Sequence, residues 1–252
     1  MFRPRVIPIL LLKNNGLVKS VKFKNHRYIG DPINAVRIFN DLKADELAFL
    51  DITASLENRL ISTDFIRQVG DEANMPFSVG GGIKDIEDIR KIINAGAEKV
   101  IINTAAVLNP NFIKNASDYF GSSTISVAID VKKNFFNRKK IFIKSGTKKI
   151  NINPLYFAKK MQDLGAGELI INSISHDGLM SGYDLELIRM ISSELNIPVI
   201  ASCGAGKLSD FKKAVDSNAS AVAAGSLFVY HGPRRGILIN YPENKELINI
   251  FK

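Results

Sequence analysis

The chain has 252 residues, 46% of them hydrophobic, and a formal charge of +9. That supplies apolar material for one large core, yet no apolar run approaches the roughly 20 residues a membrane-spanning helix needs. Cys203 is the only cysteine, which excludes an intramolecular disulfide and points to a reducing, cytoplasmic setting.

The lysines are scattered along the chain, so the basic balance reads as a solvated surface around an anion site and not as a nucleic-acid footprint. In chain order, Arg3 and Arg5 ahead of VIPILLL look like the start of a signal peptide. KNNG follows where small residues should precede a cleavage site, so residues 5–11 read as a first strand. Short apolar runs at 47–51, 77–80, 99–103, 125–130, 168–172, 199–202 and 221–224 read as seven more. The intervening stretches 32–43, 58–73, 85–95, 110–119, 154–164, 184–195 and 208–217 have helical period, several entered by Asp-Pro, Asn-Pro or Ser/Asp caps.

The chain repeats itself. Adding 122 to a residue number pairs FNDLKADELAFLDITAS (39–55) with MQDLGAGELIINSISHD (161–177), and the stretch 76–106 with 198–228. Nearer the start the offset falls to 119, because the first loops of the two halves differ in length. Eight strands alternating with helices in two matched halves predict a closed (β/α)8 TIM barrel, in the α/β class, built from two (β/α)4 halves. The boundaries are about 1–122 and 123–235, with a C-terminal helix or tail over 236–252, all in one domain spanning 1–252. An open doubly wound sheet is the alternative, but it needs no repeated half.

Barrel chemistry sits where the strands end, so the residues just after each apolar run matter most. Gly80-Gly81-Gly82 and Asn103-Thr104 follow the third and fourth strands. Ser202-Cys203-Gly204 and Gly225-Ser226 follow the seventh and eighth. Glycine lets backbone N–H groups approach an anion, and a hydroxyl at a helix start completes a phosphate cradle. Two cradles predict an elongated ligand with a phosphate at each end; the plainer alternative is that these glycines only make tight turns. At the strand starts stand Arg5, Glu46, Lys99 and Glu168, two of each charge, as a neutral ring around the axis or as ordinary surface ion pairs.

With these residues in hand the sequence resembles the cyclase subunit of imidazole glycerol phosphate synthase, the barrel half of a glutamine amidotransferase and a lyase of histidine biosynthesis. The likeness covers about residues 3–228 and rests on FLDITAS (49–55), FSVGGGI (77–83), VIINTAAV (100–107), VAIDVK (127–132), SHDGLMSGYD (175–184) and IASCGAGK (200–207). The resemblance implies a glutaminase subunit docked on the strand-start face and an ammonia gate formed by Arg5, Glu46, Lys99 and Glu168. It assigns phosphate contacts to Gly82, Asn103 and Thr104 at one end and to Gly178, Gly204, Gly225 and Ser226 at the other. Lys19 matches a lysine that helps close the first loop over substrate, and Asp51 and Asp177 match orienting carboxylates. No metal and no cofactor are expected, and the scattered lysines and short apolar runs argue against nucleic acid and membrane as partners.

The family's chemistry uses two aspartates as general acid and base, one after the first strand and one after the fifth. Here Asp130 is the second, but Pro8-Ile9-Leu10-Leu11-Leu12-Lys13 aligns with Val127-Ala128-Ile129-Asp130-Val131-Lys132, so Leu11 stands where the first belongs. Ser175 and Ile9 also depart from the pattern, and the tail HGPRRGILINYPENKELINIFK resembles a divergent branch. In that branch ammonia serves a third protein, a sugar amidotransferase building acetamidino groups on bacterial surface sugars. Two alternatives stand: a true cyclase, or a scaffold that activates its glutaminase. His176 is read as a loop histidine, and His26 and His231 as having no constellation around them.

Overall fold

A computed structural model describes residues 3–134 and 138–252. The chain opens with β1 (Arg5–Lys13), which runs directly into an antiparallel hairpin of β2 (Gly16–Val21) and β3 (Lys24–Gly30). Asp31 then caps α1 (Pro32–Asp41), and β4 (Leu47–Asp51), α2 (Thr63–Glu72), β5 (Phe77–Gly80) and α3 (Ile86–Asn94) follow. Next come β6 (Lys99–Ile102), the short α4 (Thr104–Leu108) and α5 (Asn111–Phe120). The second half begins with β7 (Ile125–Lys133), continued by a meander of β8 (Lys139–Ile143) and β9 (Lys148–Ile150). It proceeds through α6 (Pro154–Asp163), β10 (Glu168–Ser173), α7 (Leu185–Ser192), β11 (Val199–Ser202), α8 (Ser209–Val215) and β12 (Ala221–Ala224). A two-stranded ribbon, β13 (Tyr230–His231) with β14 (Gly236–Ile237), and α9 (Asn244–Phe251) close the chain.

Eight parallel strands pair in the order β1-β4-β5-β6-β7-β10-β11-β12, and β12 returns to β1, so the predicted barrel is closed. Among the described residues no helix is long and apolar enough to cross a membrane.

Side chains alternate across a strand, and that period sorts the sequence into an inner and an outer set. Along β1, Val6, Leu10 and Leu12 join the layer between sheet and helices, whereas Ile7 and Ile9 join a separate inner cluster with Ala48, Ile101, Ala128, Ile170, Ile200, Ala221 and Ala223, against which Leu11 and Leu50 pack. The inner columns share one plan. Arg5-Ile7-Ile9-Leu11, Glu46-Ala48-Leu50, Lys99-Ile101-Asn103, Ser126-Ala128-Asp130 and Glu168-Ile170-Asn172 each run from a polar foot through a small or branched apolar middle to the rim.

Several boundaries differ from the sequence reading. The first strand continues to Lys13, because its edge beyond Leu11 is paired by β2. The helix expected from residue 58 starts at Thr63, where the Ser62 hydroxyl accepts the Phe65 N–H. Both hairpins, β2–β3 and β8–β9, lie where loops were expected.

Candidate active site at the strand carboxyl ends

At the foot, the four charges expected there meet. Arg5 binds Glu46 through one guanidinium nitrogen and Glu168 through the other at 2.7 Å. Lys99 Nζ lies 3.4 Å from Glu46 and 3.3 Å from Glu168, and the Ser126 hydroxyl donates to Glu168 at 2.5 Å. Both glutamates are buried, so the surface alternative fails. Burial pushes the Glu46 carboxyl up; at Glu168 the same burial is outweighed by Lys99, the Ser126 hydroxyl and Arg5, which hold that carboxyl below its ordinary value. The arrangement is a closed ring with no net charge.

At the opposite end the strands open into two adjoining cavities. One is lined by Gly80, Gly81, Gly82, Asn103, Thr104, Asp51 and Asp130, the other by Lys19, Asp177, Gly178, Gly204, Gly225 and Ser226. Leu11, Ser20, Phe23, Leu50 and Asn172 line both. The two expected cradles are therefore the ends of one elongated mouth, with Leu11 in its middle.

The glycines carry their own reason. Gly82, Gly178 and Gly204 have φ of +72°, +69° and +117°, and a Cβ on them would collide with the backbone carbonyls of Arg59, Ser20 and Gly182. Tight backbone contact thus requires glycine here whether or not an anion binds. Gly225 differs, because a Cβ there would strike the Lys19 ammonium. Beside Gly82, the Thr104 hydroxyl accepts the Lys144 N–H at 3.1 Å and the Asn103 amide donates to the Ala128 carbonyl at 2.9 Å, so the β8–β9 hairpin and β7 fix that cradle.

Lys19 projects from β2 and is buried; its Nζ donates to the Ile9 carbonyl at 2.5 Å, and burial pushes its ammonium down to about 8. Asp177 ties down the same hairpin, accepting the Ser20 hydroxyl at 2.7 Å and the Phe23 N–H at 3.0 Å. Asp51 is also engaged, with Thr53 and Ala54 N–H groups on one oxygen and Arg59 at 2.6 Å on the other. Asp130 is the exception. Burial pushes its carboxyl up to about 7, and among the described residues its one side-chain hydrogen bond runs from Asn172 at 2.8 Å. No carboxylate among the cavity-lining residues stands at Leu11; the residue paired across the sheet from it is Leu50.

One reading, His26, needs correction, His176 lies in a loop as expected, and Asn172 is an addition. His26, read as isolated, lines the rim of the Asp130 cavity, because the β2–β3 turn folds it back over the mouth. His176 holds the Ser173 hydroxyl at 2.8 Å and lines neither cavity. Asn172 was missed; its only signal in the sequence is its place in an inner column, two residues beyond Ile170.

A family model described as "Histidine biosynthesis protein" matches residues 5–233. The chain is 46% identical over 252 residues to a provisionally named imidazole glycerol phosphate synthase subunit HisF of Leptospira interrogans, covering 98% of this chain and 99% of that one. It is 46% identical over 248 residues to the provisionally named subunit hisF2 of Pseudomonas aeruginosa, with 98% and 99% covered. Against the imidazole glycerol phosphate synthase subunit HisF of Alkaliphilus metalliredigens, the identity is 43% over 232 residues, 92% of each chain.

Proposed function

The chain belongs to the histidine biosynthesis family as a HisF-like barrel, and on that premise we propose that it is the ammonia-receiving subunit of a glutamine amidotransferase. A glutaminase docks on the strand-start face over Arg5, Glu46, Lys99 and Glu168. Ammonia passes the ring and the apolar interior as a neutral molecule and emerges beside Asp130, where a phosphorylated ligand lies between the two cradles. The product serves amidino or acetamidino modification of a bacterial surface sugar, through a sugar amidotransferase, and not closure of an imidazole ring.

One observation carries this reading: the middle of the mouth holds a single carboxyl, Asp130, bound there only by the Asn172 amide among the described residues, opposite an apolar pair, Leu11 and Leu50. Ring closure needs two proton carriers, and one such group is worth about 100- to 10,000-fold in rate. The other two carboxylates, Asp51 and Asp177, already hold Arg59 and the β2–β3 hairpin.

A second reading, the authentic cyclase, draws on the poise of Asp130 near 7 and Lys19 near 8, which suits proton transfer at neutral pH. The purified protein given ammonium and the bisphosphate substrate of the histidine-pathway cyclase separates the two. Turnover reduced by a factor of 100 or more, and recovered at least in part by Leu11→Asp, supports the proposal. Turnover at ordinary enzymatic rates sinks it. If the glutaminase is stimulated while labelled glutamine nitrogen reaches no product, the barrel is a scaffold.

A further inference from the structure

The two halves of the barrel have parted company at the rim, and the repeat shows where. With the same offsets that align the halves, Asp130 corresponds to Leu11, Asn172 to Leu50 and Cys203 to Gly81. The correspondence is structural as well, since Leu11 pairs with Leu50 across β1 and β4, and Asp130 pairs with Asn172 across β7 and β10. One side of the mouth is apolar; the other is a polar row.

That row is connected. Asn172 donates its amide to Asp130 Oδ1 at 2.8 Å, and the Cys203 thiol donates to Asn172 Oδ1 at 3.8 Å. Asp130 and Asn172 are each only 6% exposed. Cys203 has φ of +70°, where glycine is the usual occupant, so a side chain is kept there at a cost in backbone strain. We infer that Asn172 is the positioning residue of this site: it engages one oxygen of Asp130 and leaves the other for the ligand, while Cys203 fixes which way the Asn172 amide faces. A free amide turns over as easily as not, and turned over it would present an oxygen to a carboxylate. This rests on the reading of Asp130 as the proton carrier, but its test needs no substrate, so its failure is distinguishable from the failure of that reading.

The test is a carbon-13 NMR titration of the Asp130 carboxyl in the full-length protein, with the resonance assigned through Asp130→Asn. The other charged groups at the mouth are Asp51, Asp177 and Lys19, with His26 at the rim, and all are kept. A hydrogen bond from Asn172 favours the ionised carboxylate, so Asn172→Leu moves the midpoint upward by about one pH unit. Leucine already occupies the matching place in the other half. Cys203→Gly moves it the same way by a smaller amount. Should Asn172→Leu fail to fold, Asn172→Ser, too short to reach Asp130, carries the same expectation. An unchanged midpoint in either Asn172 variant overturns the positioning role, and an unchanged midpoint in Cys203→Gly overturns the lock.

Discussion

Asp130 and Lys19 are held away from their ordinary charge states by the barrel that buries them, and each should therefore weaken the fold over a definite pH range. Asp130 moves from 3.8 to about 7. As pH rises from 3.8, an unfolded chain releases this proton while the folded one keeps it, so stability falls until pH 7, by roughly 4 kcal/mol in total. Asp130→Asn should raise the urea midpoint at pH 8 and leave it unchanged at pH 3.5. Lys19 moves the other way, from 10.5 to about 8. Below pH 8 the folded chain carries a buried ammonium whose only hydrogen-bond partner among the described residues is the Ile9 carbonyl, and that costs roughly 3 kcal/mol relative to pH above 10.5. Lys19→Met should stabilise at pH 7 and lose its advantage above pH 10.5. If both variants are destabilised at these pH values, the two groups are structural and not poised for chemistry.

The β2–β3 hairpin brings Lys19, Ser20, Phe23 and His26 to the mouth, and two sets of contacts hold it shut. Asp177 grips its turn, and on its outer strand the Arg27 guanidinium lies 5.7 Å from the Tyr230 ring centre, with Arg235 5.8 Å from the same ring. Arg27 also donates to the Arg235 carbonyl at 3.4 Å. The C-terminal ribbon thus clasps the first hairpin. Each cation–aromatic contact is worth about 0.5–1 kcal/mol at an exposed site, so Tyr230→Ala should speed tryptic cleavage at Lys22, Lys24 and Arg27 by about fivefold without changing global stability. An unchanged cleavage rate would show that Asp177 alone closes the hairpin. Neither hairpin was legible in the sequence, for a physical reason. The first turns at Lys22 and Phe23, with φ of +54° and +60°, residues that give no turn signal, and its outer strand is exposed through Tyr28. The eight barrel strands were legible because burial on both faces writes them as short apolar runs. Lys19 came only from the family resemblance, since its reach to the Ile9 carbonyl depends on a hairpin the sequence did not reveal.

Across the whole molecule, the internal repeat gave both the closed barrel and the position of Leu11, whereas Asn172 stayed hidden because its role depends on contact with Asp130 and not on any motif. The repeat also bears on why charges persist at the foot. A ring of Arg5, Glu46, Lys99 and Glu168 ties β1, β6 and β10 to the residue that leads into β4, yet buried ion pairs seldom stabilise a fold more than well-packed apolar residues of the same size. Removing Arg5 is a different matter, because the two buried glutamates are then left to share Lys99 alone. Arg5→Met should therefore cost about 3–5 kcal/mol, read as a lowered urea midpoint. The fourfold replacement Arg5→Met, Glu46→Leu, Lys99→Met and Glu168→Leu should be at least as stable as the unaltered protein. In that case the ring is retained for what meets or passes it at the foot, and the fourfold variant should no longer stimulate or bind a glutaminase. A fourfold variant weaker than Arg5→Met alone would make the ring a structural clamp, and the proposed route for ammonia would lose its entrance.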